Sequence, residues 1–145
     1  AGSYSQAALL RPQLMDLKKI TSARRLLWDN YFEHLSHSGW VQNGWQIPLA
    51  DNKANAHMFW MLAPSMDMRD KLLDFCSSHE IQLTSHYQSL ANSPAGIKYG
   101  SFPMEIGVSE MATDRLIRLP LWHGMTLAET QRVLGVLRQF HQVCF

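Results

Sequence analysis

The chain has 145 residues, of which 46% are apolar and 17% charged, and its formal net charge at pH 7 is +1. Five Trp, six Phe and four Tyr exclude intrinsic disorder, which requires few aromatic residues and a strong charge excess. The balance of 13 basic and 12 acidic side chains excludes a strong electrostatic attraction to nucleic acid or to a membrane surface. The longest unbroken apolar run, residues 58–63, is far shorter than the ~20 residues of a membrane span. We therefore expect a single domain that buries its own core.

The first predicted element is a long helix over residues 5–36. Its apolar residues recur at spacings of three, four and seven and so lie on one stripe; they are Leu10, Leu14, Leu17, Ile20, Leu27, Trp28, Tyr31 and Leu35. Pro12 must lie in the first turn or kink the helix, because it has no N–H to donate. We interpret the opposite face as solvated rather than as a nucleic-acid surface; it carries Lys18, Lys19, Arg24, Arg25 and Asp29.

An irregular connection follows over residues 36–54, and four apolar residues are predicted to pin it to the core: Trp40, Val41, Trp45 and Ile47. A strand is predicted over residues 57–62, with Pro64 as its end. Ser65 or Asp67 should then cap a helix of about a dozen residues. The buried stripe of this helix is predicted to be Met68, Leu72, Leu73, Phe75 and Cys76. A second short strand is predicted over residues 81–86.

Residues 88–107 contain many turn formers and are predicted to be a loop, which at this length is typically functional. A short helix over residues 108–117, with Met111, Leu116 and Ile117 facing inward, and an extended piece over residues 118–121 follow. Thr126 and Glu129 form a capping box ahead of the last helix. Its predicted buried stripe is Val133, Leu134, Val136, Leu137 and Phe140. The pattern predicts an α+β two-layer sandwich, in which a small, mostly antiparallel sheet carries helices on one face and follows a long helix.

The two cysteines, Cys76 and Cys144, cannot form a disulfide framework, so we expect reduced thiols and a cytoplasmic location. Seven histidines invite a metal hypothesis, but His34 and His37 have no converging Cys or carboxylate cluster, and no metal site is predicted. His79 and His141 should lie near helix C-termini. Because no nucleophile elbow or phosphate-binding Gly-rich loop is present, no catalytic residue is predicted.

The most suggestive local feature is the run of residues 84–88, where a strand enters the long loop. It places the imidazole of His86 and the phenol of Tyr87 at a strand end, a favoured place for ligand contacts. His86 could bind a phosphate or act as an acid or base near neutral pH. The alternative is that both side chains only fill the loop.

At these residues the chain resembles the C-terminal part of the DegT/DnrJ/EryC1/StrS sugar-nucleotide aminotransferases. Within that family the likeness is strongest to the transaminases that form dTDP-4-amino-4,6-dideoxygalactose. The resemblance rests on several stretches in the same order and spacing, which together span nearly the whole chain: residues 6–10, 13–14, 27–31, 55–60, 86–87 with Leu90, 93–96 and 115–122.

The resemblance implies a fold-type I, pyridoxal-phosphate-dependent enzyme that transfers an amino group from an amino acid, usually glutamate, to a keto-sugar nucleotide of the dTDP-4-keto-6-deoxyhexose type. All of residues 1–145 would be its small C-terminal domain, with a connecting helix over 5–36 and an α+β body over 55–145. The large domain that carries the Schiff-base lysine would be absent, so the chain alone should be inactive and should not bind the cofactor.

By the same resemblance, His86 and Tyr87 would line the keto-sugar side of the active site, beneath a loop over residues 90–102. Ser3 and Tyr4 would reach the cofactor phosphate of a neighbouring subunit in a homodimer. Ala91 replaces the family's second histidine and Ser89 replaces a proline, which implies either a different substrate or a decayed site.

Two hypotheses therefore stay open. The chain is the C-terminal domain of a transaminase, or it is a free-standing, non-catalytic binding or partner domain with the same fold. Ala1 in place of an initiator Met suggests a fragment, a processed product or a tag remnant. No nucleic-acid, membrane or metal partner is expected.

Overall fold

The computed structural model describes residues 4–50, 55–85, 89–101 and 107–145. Its elements, in chain order, are α1 (Tyr4–Met15), α2 (Leu17–His37), β1 (Phe59–Leu62), α3 (Met66–Ser78), β2 (Thr84–Ser85), α4 (Pro94–Tyr99), α5 (Gly107–Arg115), β3 (Leu116–Leu119) and α6 (Leu127–Cys144). The strands form one antiparallel sheet in the order β1-β3-β2. This arrangement confirms the predicted α+β class.

The predicted long helix is present but divided at Asp16. The Asp16 N–H still donates to the Pro12 carbonyl at 3.1 Å, and the Asp16 carbonyl accepts from the Ile20 N–H at 2.9 Å, so the two helices follow almost directly on each other. Pro12 lies in the interior of α1 rather than in its first turn. A proline inside a helix removes the hydrogen bond to the carbonyl four residues earlier, here that of Ala8, so Pro12 does not by itself account for the division at Asp16.

Only the second half of the apolar stripe of the first helices is buried. Leu27, Trp28, Tyr31 and Leu35 of α2 lie in the core. Leu10, Leu14 and Leu17 are each more than half exposed, and α1 has no buried residue. The stripe therefore continues beyond the core as an apolar surface without a partner among the described residues.

One face of the sheet supplies the centre of the core. Phe59 and Met61 of β1 pair with Leu119 and Ile117 of β3, and all four side chains are buried. The Phe59 ring lies 5.3 Å from that of Trp28 on α2. On the other side of these strands Leu62 is buried, whereas Trp60, Leu116 and Arg118 keep part of their surface exposed. One cross-strand row on this side joins Trp60, Arg118 and Thr84. We call this side the open face.

The connection after α2 is pinned to the core by two of the four predicted residues. Trp40 and Trp45 are each 1% exposed, and their rings meet edge to face at 4.9 Å. Ile47 is partly buried against the core. The expectation for Val41 was wrong, because its side chain is 47% exposed. Val41 lies in a turn between Gly39 and Gly44, both of which have φ +83°.

The structure differs from the prediction in the long loop and in the elements on either side of it. The loop contains a short helix, α4, which was not predicted. The helix predicted over residues 108–117 ends at Arg115, because Leu116 and Ile117 pair with β1 and β2 instead of facing inward from a helix. Met111 is 45% exposed rather than buried. The strand predicted over 81–86 is reduced to Thr84–Ser85, and position 86 lies outside the described residues.

The remaining helices agree with prediction. Ser65, not Asp67, caps α3, and its hydroxyl accepts from the Met68 N–H at 3.2 Å. Leu72 and Cys76 of that helix are fully buried, whereas Met68, Leu73 and Phe75 of the predicted stripe are only partly buried against the core. The capping box of Thr126 and Glu129 is present at the start of α6. The five residues of its predicted stripe are all buried.

Candidate functional site

The structure describes residues that border the site implied by the resemblance, but few of the residues assigned to it. His86, Tyr87 and Ser3 lie outside the described residues. Tyr4 begins α1 and is 98% exposed. The described surroundings of the site are therefore strand β2, which ends just before position 86, and the helices that follow it in the chain.

Strand β2 ends beside the start of β3. Thr84 is paired with Arg118 and Ser85 with Ile117. β2 ends at Ser85, and β3 begins at Leu116, one residue before the partner of Ser85. The chain between Ser85 and Leu116 therefore connects two neighbouring strands, and we call this connection the excursion.

The end of this excursion that leads into β3 is hydrogen-bonded to the residue that follows β1. The Ala63 N–H donates to the Arg115 carbonyl at 2.9 Å, and the Arg115 Nε donates back to the Ala63 carbonyl. Arg69 of α3 donates from Nη1 to the Thr113 carbonyl at 3.5 Å and pairs with Asp70 at 2.7 Å. Sequence reasoning missed these roles, although Arg115 opened the stretch over residues 115–122.

Helix α4 is held together by one serine and one glycine. The Ser93 hydroxyl donates to the Leu90 carbonyl at 2.8 Å and accepts from the Gly96 N–H at 2.9 Å. A Cβ at position 96 would lie 1.8 Å from the Leu90 carbonyl oxygen, so only glycine fits. Leu90 and Ile97 are 80% and 73% exposed, which gives this part of the excursion an apolar surface.

Two cavities flank the edge strand β2. One, of about 560 Å³, is lined by residues of α3 and by Ser85, and the other, of about 500 Å³, by Thr84, Trp122 and residues of α6. The second also contains the ion pair of Arg132 and Glu80, whose atoms lie 3.1 Å apart. There is room for a ligand on either side of the strand that ends at the candidate site.

The described lysines do not fit a covalent pyridoxal-phosphate site. Schiff-base chemistry needs an amine that can lose its proton. The Lys71 amine is exposed, and its hydrogen bond to Asp67 at 2.8 Å raises its pKa. Lys98 lies over the ring of Tyr99 on the exposed helix α4. Lys18 and Lys19 are exposed on α2, and Lys53 lies outside the described residues.

Several of the described histidines make local structural contacts. His79 caps α3, with Nδ1 2.8 Å from the Phe75 carbonyl, and His141 lies in the last turn of α6, as predicted. His34 Nδ1 lies 2.9 Å from the Asn30 carbonyl. Among the described residues, no three His, Cys, Asp or Glu side chains converge on a possible metal position. Over the same residues, no helix combines the length and apolar character needed to cross a bilayer.

Comparison with known proteins places these features in a family. A model of the DegT/DnrJ/EryC1/StrS aminotransferase family matches residues 3–138. A DegT DnrJ EryC1 StrS aminotransferase from Brucella abortus is similar over 94% of this chain and 35% of its own, with 24% identity and a TM-score of 0.78.

Two further solved structures show the same fold. They are S. venezuelae DesV in complex with a ketimine intermediate (22% identity, TM-score 0.77, 93% of this chain and 35% of that one) and Helicobacter pylori PseC, an aminotransferase involved in the biosynthesis of pseudoaminic acid (17% identity, TM-score 0.78, 94% and 37%). The chain thus spans about a third of the length of the solved structures that it matches.

Proposed function

The chain belongs to the DegT/DnrJ/EryC1/StrS aminotransferase family, and on that premise we propose that it is the C-terminal, substrate-side domain of a pyridoxal-phosphate-dependent transaminase. The substrate would be a keto-sugar nucleotide of the dTDP-4-keto-6-deoxyhexose type, with an amino acid as the amino donor. One observation carries the proposal: the family model covers residues 3–138, yet the chain spans about a third of the structures that share its fold.

In this proposal the chain supplies binding surface, and the cofactor supplies the electron sink when it is bound to the whole enzyme. By the resemblance, the lysine that holds the cofactor would lie in the large domain, since none of the five lysines of this chain falls at a matching position. His86 and Tyr87 would contact the keto sugar, and Ser3 and Tyr4 the cofactor phosphate of a neighbouring subunit. The enzyme would be a cytoplasmic homodimer.

A first test asks whether the chain alone holds the cofactor. It would be incubated with pyridoxal phosphate, dialysed, and followed by its absorbance near about 400 nm, a property of the protein-bound cofactor. We expect no band to survive dialysis. A stoichiometric band that survives, together with a lysine adduct trapped by borohydride, would reject the claim that the cofactor lysine lies elsewhere.

A second test concerns the substrate-side residues in the full-length protein encoded by the reading frame upstream of Ala1. His86→Asn and Tyr87→Phe should each raise KM for the keto-sugar nucleotide about tenfold or more, because each removes a polar contact to the substrate. Lys19→Gln, on the exposed face of α2, is the matched control and should leave KM unchanged. Unchanged KM in both site variants contradicts their assignment.

The second candidate function is a free-standing binding or partner domain, and one observation favours it. Ala91 and Ser89 stand where the resemblance expects a histidine and a proline, so the loop lacks the second imidazole that the resemblance implies. A start codon next to Ala1 in the genomic reading frame would support this alternative. An upstream continuation of some 200 residues with a lysine-bearing α/β domain would reject it.

A further inference from the structure

The exposed half of the apolar stripe on the first two helices has no cover among the described residues. Leu10 and Leu14 of α1 and Leu17 of α2 are each more than half exposed, although the same stripe belongs to the core from Leu27 onward. We call the surface of these three exposed leucines the docking stripe. Soluble monomers rarely expose a large continuous apolar surface, and where they do it is usually a binding site.

Helix α1 also lacks the charged face of a helix that water covers on one side. Arg11 is its only charged residue, and exposed apolar side chains stand beside the docking stripe at Leu9 and Met15. A helix that is apolar around most of its circumference is typical of a buried position. The hydrogen bonds across Asp16 hold α1 in line with α2, so α1 does not fold back onto the core of its own chain.

A cation stands in line with the docking stripe. Arg24 is seven residues from both Leu17 and Tyr31 and therefore lies on the same side of α2 as they do. The expectation that Arg24 lies on the solvated face was wrong, because Arg24 is partly buried. It makes no ion pair with a described residue, whereas the neighbouring Arg25 pairs with Asp29 at 2.8 Å. A body that covers the stripe must therefore bring an acceptor for the Arg24 guanidinium.

The charges around the stripe favour a partner with carboxylates over a second copy of this chain. Residues 4–28 contain a single acidic side chain, Asp16, and five basic ones: Arg11, Lys18, Lys19, Arg24 and Arg25. A copy packed stripe against stripe would face these cations with the same cations, and like charges across an interface are unfavourable. An apolar surface with carboxylates would complement both the leucines and the cations.

We propose that the docking stripe is the surface on which the large domain of the same polypeptide packs, and that this domain places a carboxylate against Arg24. This inference rests on the proposed function, which puts that domain before residue 1. The chain spans about a third of the length of the solved structures that share its fold, so a body large enough to cover the stripe belongs to the proposal. Because α1 begins at Tyr4, this body would be tethered at the end of the helix that it covers, which favours it over any free partner.

The test compares amide hydrogen exchange in the full-length protein encoded by the reading frame with exchange in the 145-residue chain. Exchange over α1 should be slower by about tenfold or more in the full-length protein, because a covered helix opens less often. Leu14→Gln should remove most of this protection. Leu26→Gln is the matched control, because Leu26 and Leu14 are both 57% exposed. Leu26 stands nine residues after Leu17, about two and a half turns, and so lies on the side of α2 away from the stripe.

A cross-linking experiment tests for the carboxylate in the full-length protein. Arg24→Lys keeps the charge and introduces an amine, which a carbodiimide joins to a carboxylate in contact with it, the reagent taking up the water that is released. We expect a cross-link from position 24 to an Asp or Glu outside residues 1–145. Arg138→Lys, at an exposed position of α6, is the control and should give no such cross-link.

Equal exchange over α1 in the two proteins, or full protection in Leu14→Gln, rejects the docking surface. Protection that appears in the 145-residue chain and grows with its concentration, or a cross-link from position 24 to residues 1–145 of a second copy, shows that a copy covers the stripe and rejects the large domain as its occupant. If full-length Leu14→Gln does not fold, the milder Leu14→Ala replaces it.

The result also separates this inference from the proposed function. An active transaminase with unprotected α1 rejects only the docking surface. A full-length protein that protects α1 but aminates no keto-sugar nucleotide rejects only the proposed activity. A start codon next to Ala1 rejects both.

Discussion

The two thiols of the chain lie in opposite environments. Cys76 is fully buried on α3 among core side chains, and this burial raises the pKa of its thiol to about 12. Cys144 is exposed at the end of α6. An unfolded chain ionises a thiol near about pH 8.5, so folded and unfolded states bind different numbers of protons at alkaline pH.

We predict that the free energy of unfolding falls as pH rises from about 9 to about 12. The folded state keeps the Cys76 proton in this window while the unfolded state loses it, so this thiol contributes a slope of at most about 1.4 kcal/mol per pH unit. Burial also raises the pKa of Tyr31, which adds to the fall above about pH 10. Urea unfolding at about pH 8 and about pH 10 measures it. Cys76→Ala should flatten the dependence, whereas Cys144→Ala should not. An equal slope in all three proteins would contradict the assignment to Cys76.

Glycines at two positions should respond to alanine in opposite directions. Gly96→Ala places a Cβ 1.8 Å from the Leu90 carbonyl, so the Ser93-capped turn must open, and amide exchange over residues 89–101 should accelerate. Gly135→Ala on α6 meets nothing within 4 Å and should stabilise the fold by about 0.5–1 kcal/mol. Unchanged exchange in Gly96→Ala would show that the turn tolerates a side chain.

At the scale of elements, prediction succeeded where local signals and burial agree. The box at Thr126 and Glu129, followed by an apolar stripe, predicted α6 correctly from its cap to Phe140. The boundary between α5 and β3 was missed because pairing with β1 and β2 decides it, and no local signal marks that pairing. Helix α4 could have been found, since Ser93 and Pro94 are a typical N-cap and first helical residue.

The capping box of α6 provides an element-scale prediction. Thr126→Ala removes the hydroxyl that accepts from the Glu129 N–H at 3.2 Å and should destabilise the fold by about 1 kcal/mol. Thr126→Ser, which keeps the hydroxyl, should destabilise the fold far less.

Hydrogen bonds from the Thr126 backbone and hydroxyl lower the pKa of Glu129. The stabilisation that this carboxylate gives to the fold is therefore present above its unfolded pKa and is lost as pH falls through the lowered value. Denaturant melts of both variants at neutral and acidic pH test this.

At the scale of the whole molecule, one apolar stripe has a buried half and an exposed half. Leu35→Ala, in the core, should destabilise the chain by about 2–5 kcal/mol. Leu14→Ala removes the same atoms from a residue that is 57% exposed, and should change stability by no more than about 0.5 kcal/mol. Leu10→Lys combined with Leu14→Lys should instead reduce self-association in light scattering. A large loss of stability in Leu14→Ala would mean that α1 packs against the core.

The candidate site was predictable only in part. The resemblance pointed to residues 86–87, and the structure places the end of β2 immediately before them. The row that joins Trp60, Arg118 and Thr84 could not be predicted from the sequence, because Trp60 and Thr84 lie 58 and 34 positions before Arg118. Pairings over such distances depend on the register of the sheet rather than on any local pattern.

The excursion between β2 and β3 also bears on how such a domain can diversify. Its two ends lie opposite each other, at Ser85 and Ile117, in a pairing that the excursion itself does not supply. Each doubling of a loop's length adds only about 0.6 kcal/mol of closure entropy. A change in the length or sequence of the chain between Ser85 and Leu116 should therefore leave the sheet and its core in place.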